Sequence, residues 1–114
     1  MHEVSICESI VDILKQEAEK QGASKVKSVR LLIGEMAGIV DDSLNFAFEI
    51  VSKGTVAEGA EVIIEHSPLM ARCKSCGKDF HIVGYAFSCA HCDGPEIEVV
   101  SGRELQIEEI DLEV

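Results

Sequence analysis

Apolar residues recur at three- and four-residue spacing from the start of the chain. Cys7, Ile10, Val11, Leu14 and Ala18 form one stripe, and Glu8, Asp12, Lys15 and Glu19 fall mainly outside it. That period predicts an amphipathic helix over residues 3–21. Gly22 then supplies the left-handed residue that stops it. Lys25 to Ile33 is rich in β-branched and aliphatic residues and predicts a strand. Gly34, Gly38 and the small residues between them predict a loop. Asp41 or Asp42 is placed to cap a second helix, running to about Lys53 with Leu44, Ala47, Phe48 and Val51 on one face. Gly54 ends it.

Glu61 to His66 predicts a second strand, which leaves the sheet at Pro68. Arg103 to Val114 predicts a long last strand whose apolar positions change phase. Leu105 and Ile107 share one parity, while Ile110, Leu112 and Val114 share the other, so a β-bulge or sharp twist is expected near Glu108-Glu109. The expected fold class is α+β: two helices packed on a three-stranded, mainly antiparallel sheet, with an inserted lobe. The expected division is residues 1–69 plus 96–114 for the α+β domain and 70–95 for the lobe.

That lobe carries the strongest chemical signal. Cys73-Lys74-Ser75-Cys76 and Cys89-Ala90-His91-Cys92 are two Cys-x-x-Cys pairs, separated by Gly77 to Ser88, enough chain to return as a short hairpin. Four thiolates so spaced can close a tetrahedral shell around one Zn²⁺. Tetrahedral sulfur also suits iron. Disulfides are the competing reading. They need an oxidising compartment, and the N-terminus shows no basic region followed by a long apolar run of the kind that directs secretion. A fifth cysteine, Cys7, makes the count odd and falls within the first helix stripe, as a buried thiol would. Four sulfur ligands leave no open position, so the expected zinc is structural rather than catalytic.

At 114 residues, 46% of them hydrophobic, the chain suffices for one modest core. No apolar stretch approaches a membrane span. The net charge of −11 argues against nucleic acid. The inserted lobe, a candidate zinc ribbon, sets Arg72, Lys74 and Lys78 against Asp79 and Asp93, and aromatic stacking platforms are scarce. No nucleophile motif, phosphate loop or open zinc triad is present, so no enzyme is expected.

The N-terminus offers a second donor set. The terminal amine, the His2 amide and the His2 imidazole can lie in one plane, with Glu3 supplying a fourth ligand. Nitrogen-rich planar geometry favours Ni²⁺ or Cu²⁺. The same residues also fit a solvated terminus, with Glu3 favouring the helix start through the dipole. His66, near a strand end, is expected at the surface or sheet edge, and His81 and His91 are expected to face solvent or to support the zinc shell from outside it.

Several segments together resemble one family. They are Met1-His2-Glu3, Ile33-Gly34-Glu35, Asp42-Ser43-Leu44, the paired Cys-x-x-Cys motifs and Gly102-Arg103-Glu104-Leu105-Gln106-Ile107. In this order, over essentially the whole chain, they resemble the HypA/HybF hydrogenase maturation factors. The resemblance implies a nickel metallochaperone serving the large subunit of a [NiFe]-hydrogenase beside a nickel-handling GTPase; some members serve urease. The cysteine count and the N-terminus point to the cytoplasm, and the long, partly apolar last strand could pair between chains, so a monomer or a homodimer is expected. The resemblance also implies nickel at Met1, His2 and Glu3, helped by an acidic residue matched here by Asp41, and zinc at Cys73, Cys76, Cys89 and Cys92. Ala90 stands where many members have Pro, and Asp93-Gly94 follows the fourth cysteine where Gly or Ser is frequent. The alternative is a zinc-ribbon interaction module without a nickel role.

Overall fold

The computed structural model describes residues 3–114. In chain order these form α1 (Glu3–Gln21), β1 (Lys25–Gly34), a 3₁₀ turn (Glu35–Ala37), α2 (Asp41–Ser52), β2 (Glu61–Ser67), β3 (Met70–Cys73), β4 (Asp79–His81), β5 (Ile97–Ser101) and β6 (Leu105–Glu113). The chain divides into two compact units. One contains the chain through Leu32, Ile39–Glu65 and Gln106–Val114; the other contains Ile33–Gly38 and His66–Leu105.

The first unit is built on a sheet of order β2-β1-β6. The α1 stripe is buried at each expected position, Cys7, Ile10, Val11, Leu14 and Ala18. It meets α2, whose buried face is Leu44, Ala47, Phe48 and Ser52, with Val51 only half-buried. β1 adds Val26, Val29 and Leu31 to this core. On the sheet's polar face Arg30 reaches Glu65 of β2 at 3.1 Å and Glu109 of β6 at 3.4 Å. Exposed pairs of this kind contribute about 1 kcal/mol or less each.

Gly22 ends α1 with φ +65°, as its position predicts. The expected cap of α2 is corrected. Val40 is the N-cap, extended at φ −91°, ψ 123°, and makes no side-chain capping bond. Asp41 and Asp42 instead occupy the first turn, where their charge complements the helix dipole. The phase change in the last strand is present, with half-burial at Ile107 and then at Ile110 and Leu112. β1 also changes parity, between Val26 and Val29.

The second unit carries its own antiparallel sheet of order β4-β3-β5. The hairpin expected within Gly77–Ser88 lies elsewhere: β3 and β4 flank the first cysteine pair, with Arg72 opposite Asp79. β5 joins from the other side, pairing Cys73 with Ile97. This unit includes β5 and the chain on to Leu105. It is small inside, with Leu69, Ala71, Cys73, Phe80, Ile82 and Cys89 buried together and Ile97 and Val99 packed against them. Two backbones cross closely here. A Cβ on Gly34 would run into the Gly102 carbonyl, and one on Gly102 would run into the Leu69 backbone. Gly102 also has φ +104°, a region that L side chains rarely adopt.

Candidate metal centre

Each Cys-x-x-Cys pair folds into the same backbone knuckle. In the first, the Cys76 N–H points at Cys73 Sγ (3.4 Å), and the Gly77 N–H donates to the Cys73 carbonyl (2.9 Å). The Cys73 N–H donates to the Lys78 carbonyl (2.9 Å). In the second, the Cys92 N–H points at Cys89 Sγ (3.4 Å), the Asp93 N–H donates to the Cys89 carbonyl (2.9 Å), and the Cys89 N–H donates to the Gly94 carbonyl (2.8 Å). The residue after each pair must take positive φ. Gly77 does so at +76° and Asp93 at +62°. Aspartate is among the few side chains that tolerate that region. Asp93-Gly94 thus closes the second turn as Gly77 closes the first.

The two knuckles face one another. Cys73 Sγ lies 3.6 Å from Cys92 Sγ, and Cys76 Sγ lies 3.7 Å from Cys89 Sγ. All four sulfurs fall within 4.8 Å of one another. A tetrahedral zinc with bonds of about 2.3 Å has sulfur–sulfur edges of about 3.8 Å. A disulfide needs about 2.05 Å, and all five cysteines are free. The residues present therefore fit one zinc ion with a closed shell, and the disulfide reading is set aside.

Electrostatics agree with a cation site. The N–H groups of Cys76 and Ser75 help draw the Cys73 thiol down to about 6, the Cys76 N–H having the largest influence. At Cys89 burial opposes ionisation, but the N–H groups of Cys92 and His91 together with the Cys92 and Cys76 sulfurs lower the thiol. At Cys92 the Gly94 N–H favours ionisation, yet the sulfurs of Cys73 and Cys89 push the thiol up to about 12. Four thiols this close cannot all ionise without a compensating cation. A bound Zn²⁺ supplies that charge and displaces the protons. Zinc would hold the two knuckles together and bring no reaction centre of its own.

Met1 and His2 lie outside the described residues. Glu3 begins α1 and Asp41 begins α2. One helical turn further along each, Cys7 Sγ donates to the Leu44 carbonyl at 3.5 Å. Cys7 is fully buried, and burial, then the charge of Glu3, push its thiol up to about 11. It stays protonated at neutral pH and packs as a small apolar group, as its place in the stripe predicts. His91 is exposed and serves Cys89 through its backbone N–H (3.3 Å) rather than through its ring.

Glu35 has a role that residue-by-residue reading passes over. Its carboxylate accepts the Leu69 N–H (2.9 Å) and lies 2.8 Å from His81 Nε2. These bonds, the Leu69 N–H first, hold it below the usual carboxylate range. It ties the 3₁₀ turn to β4 and to the approach of β3. The only signal in the chain is an acid directly after the Gly34 that ends β1.

A family profile described as "Hydrogenase/urease nickel incorporation, metallochaperone, hypA" matches residues 1–112. The chain is 43% identical over 109 residues to a hydrogenase maturation factor HypA from Streptomyces avermitilis, covering 94% of this chain and 83% of that protein. It is 41% identical over 113 residues to a HypA from Geobacter metallireducens, covering 99% and 100%. Among solved structures, a HypA solution structure superposes with a TM-score of 0.73 at 24% identity over 98% of this chain and 96% of that one. The HypA described as a Ni metallochaperone from Helicobacter pylori superposes at 0.68 and 23% identity, covering 99% and 98%. At these identities the superpositions speak for the fold alone. The matched family and its relatives, together with the four-cysteine cluster, give the conclusion that this chain belongs to the HypA family of nickel metallochaperones for hydrogenase maturation.

Proposed function

We propose that this chain carries Ni²⁺ at its N-terminus, on the Met1 amine, the His2 amide and imidazole and Glu3, with Asp41 assisting. It releases the ion to the large subunit of a [NiFe]-hydrogenase, beside a nickel-handling GTPase in the cytoplasm. It acts as a carrier and catalyses no reaction. The supporting observation is the family match, which runs through residues 1–112 and so includes the Met1-His2-Glu3 donor set.

The physical logic rests on contrast. A closed four-sulfur cage offers no route for stepwise ligand exchange, whereas a terminal chelate opens one donor at a time. Helix N-termini carry partial positive charge and by themselves repel a cation. Glu3 at the head of α1, with Asp41 and Asp42 in the first turn of α2, supplies negative charge where a divalent ion would otherwise be disfavoured.

The test is a nickel titration of zinc-loaded protein with and without a short extension ahead of Met1. The expected result is one tightly bound Ni²⁺ in the native chain and loss of that site in the extended one. Unaltered nickel binding after extension rejects the amine as ligand. No nickel binding in either form leaves the zinc-ribbon interaction module as the better reading.

A further inference from the structure

We propose that the free edge of β6 docks an extended segment of a partner protein, one that alternates aliphatic and basic side chains. β6 ends the first unit's sheet in the order β2-β1-β6, so one side of its backbone pairs with no strand among the described residues. The Ser24 N–H donates to the Glu113 carbonyl at 2.9 Å, which turns the backbone groups of Glu113 toward β1. Strand geometry then points those of Leu112, and of Ile110 before it, to the open side.

A groove of about 590 Å³ runs along this edge. One wall is a single helical row of α1, Ile13, Glu17 and Gln21, with Ile13 46% exposed. The other is β6, where Ile107, Ile110 and Leu112 are half-buried and Val114 is open. Glu108 and Glu109 line the groove as well, and Asp111 and Glu113 of the same strand are exposed, so the edge carries a row of acids. A strand added here would place alternate side chains against Ile13, Ile110 and Leu112, and the intervening ones beside the acidic row. That geometry specifies aliphatic residues alternating with Lys or Arg, a form of β-strand addition.

A second copy of the chain fits poorly. Pairing β6 with its symmetry mate sets Glu108, Glu109, Asp111 and Glu113 against the same acids, with no basic residue in the strand to offset them. The chain's net charge of −11 adds to that repulsion. The proposal is independent of the nickel site, since none of its residues is a proposed metal ligand.

The test uses zinc-loaded full-length protein and a capped peptide of roughly eight residues that alternates Lys or Arg with Val or Ile. Control peptides carry Glu in place of the basic residues, or keep the charge but interrupt the strand with Pro. Expected are saturable binding of the basic peptide alone and slowed amide exchange at Ile110 and Leu112. At least a tenfold weakening is expected in an Asp111→Lys, Glu113→Lys double variant whose amide spectrum is otherwise unchanged. Equal binding of the Pro-interrupted peptide, or spectral changes confined to residues outside α1 and β6, overturns the proposal. Self-association of the chain that protects the β6 amides and is abolished by the double variant also overturns it, in favour of a second copy.

Discussion

Stripping zinc should unfold the second unit and spare the first. The cluster around the cysteines buries three sizeable apolar side chains, Leu69, Phe80 and Ile82, at 2%, 5% and 2% exposure. Full burial stabilises by about 1.5–3 kcal/mol per side chain, so the three contribute roughly 5–9 kcal/mol. Structural zinc in small metal-dependent folds contributes roughly 10–16 kcal/mol at neutral pH. Removing the ion therefore takes away more than the apolar side chains supply, and leaves Cys73 and Cys89 as buried thiols in the middle of that core. The first unit keeps Leu14, Leu31, Leu44, Phe48 and the rest of its core. The assay is an amide correlation spectrum before and after chelation, with zinc loss verified by metal analysis. Signals of Ala71, Phe80 and Ile82 should collapse to unfolded positions, while those of Leu14, Val29 and Phe48 stay dispersed. A dispersed, native-like spectrum for Phe80 and Ile82 in verified zinc-free protein would falsify the reasoning. A Cys73→Ser variant should reproduce the collapse without chelator.

Three further outcomes test the packing and the titrating thiol. Leu14→Ala should cost about 3 kcal/mol in urea unfolding of the zinc-loaded protein, because Leu14 is fully buried; a loss under 1 kcal/mol contradicts its place in the core. Gly102→Ala should disrupt the second unit far more than Gly84→Ala, since both have positive φ but only Gly102 faces the Leu69 backbone. The Gly84 change should cost about 1–2 kcal/mol, and equal effects in a thermal melt would refute the close approach. Cys7 should make stability fall at alkaline pH. Its folded value, about 11, lies above the 9.0 of an ordinary thiol. Its contribution is thus complete below pH 9 and fades as pH rises toward 11, as the unfolded chain ionises first. Unfolding midpoints at pH 8 and 10.5 should show a steeper decline for the native chain than for Cys7→Ala, and parallel declines reject the assignment.

What could be read from the chain follows from how far apart the cooperating residues are. The α1 stripe repeats over five positions and stops at a glycine, so helix, buried face and terminus were all readable from local spacing. The cysteine pairs were readable because metal geometry imposes a fixed gap, and Gly77 and Asp93-Gly94 mark where both knuckles turn. The sheet of β3, β4 and β5 was not, because its strands span only four, three and five residues. Periodicity has no room to show in so short a run, and its core includes the metal-binding cysteines themselves. The same holds for Glu35, whose partners Leu69 and His81 are 34 and 46 residues away. The α2 cap failed for a smaller reason: two adjacent aspartates suit a cap, but the extended Val40 leaves them already inside the first turn.

The division between a caged ion and a carried one is tested most directly by His2→Ala in untagged, zinc-loaded protein. Nickel and zinc should be measured together by metal analysis after equilibrium with Ni²⁺ at pH 7.5, and again as pH is lowered through about 6.5, where imidazole protonation competes with the metal. The native chain should bind one Ni²⁺ and lose it on acidification. The variant should bind none, with one zinc per chain retained in both. A variant that still binds one nickel at pH 7.5, or that loses its zinc together with its nickel, would contradict that division.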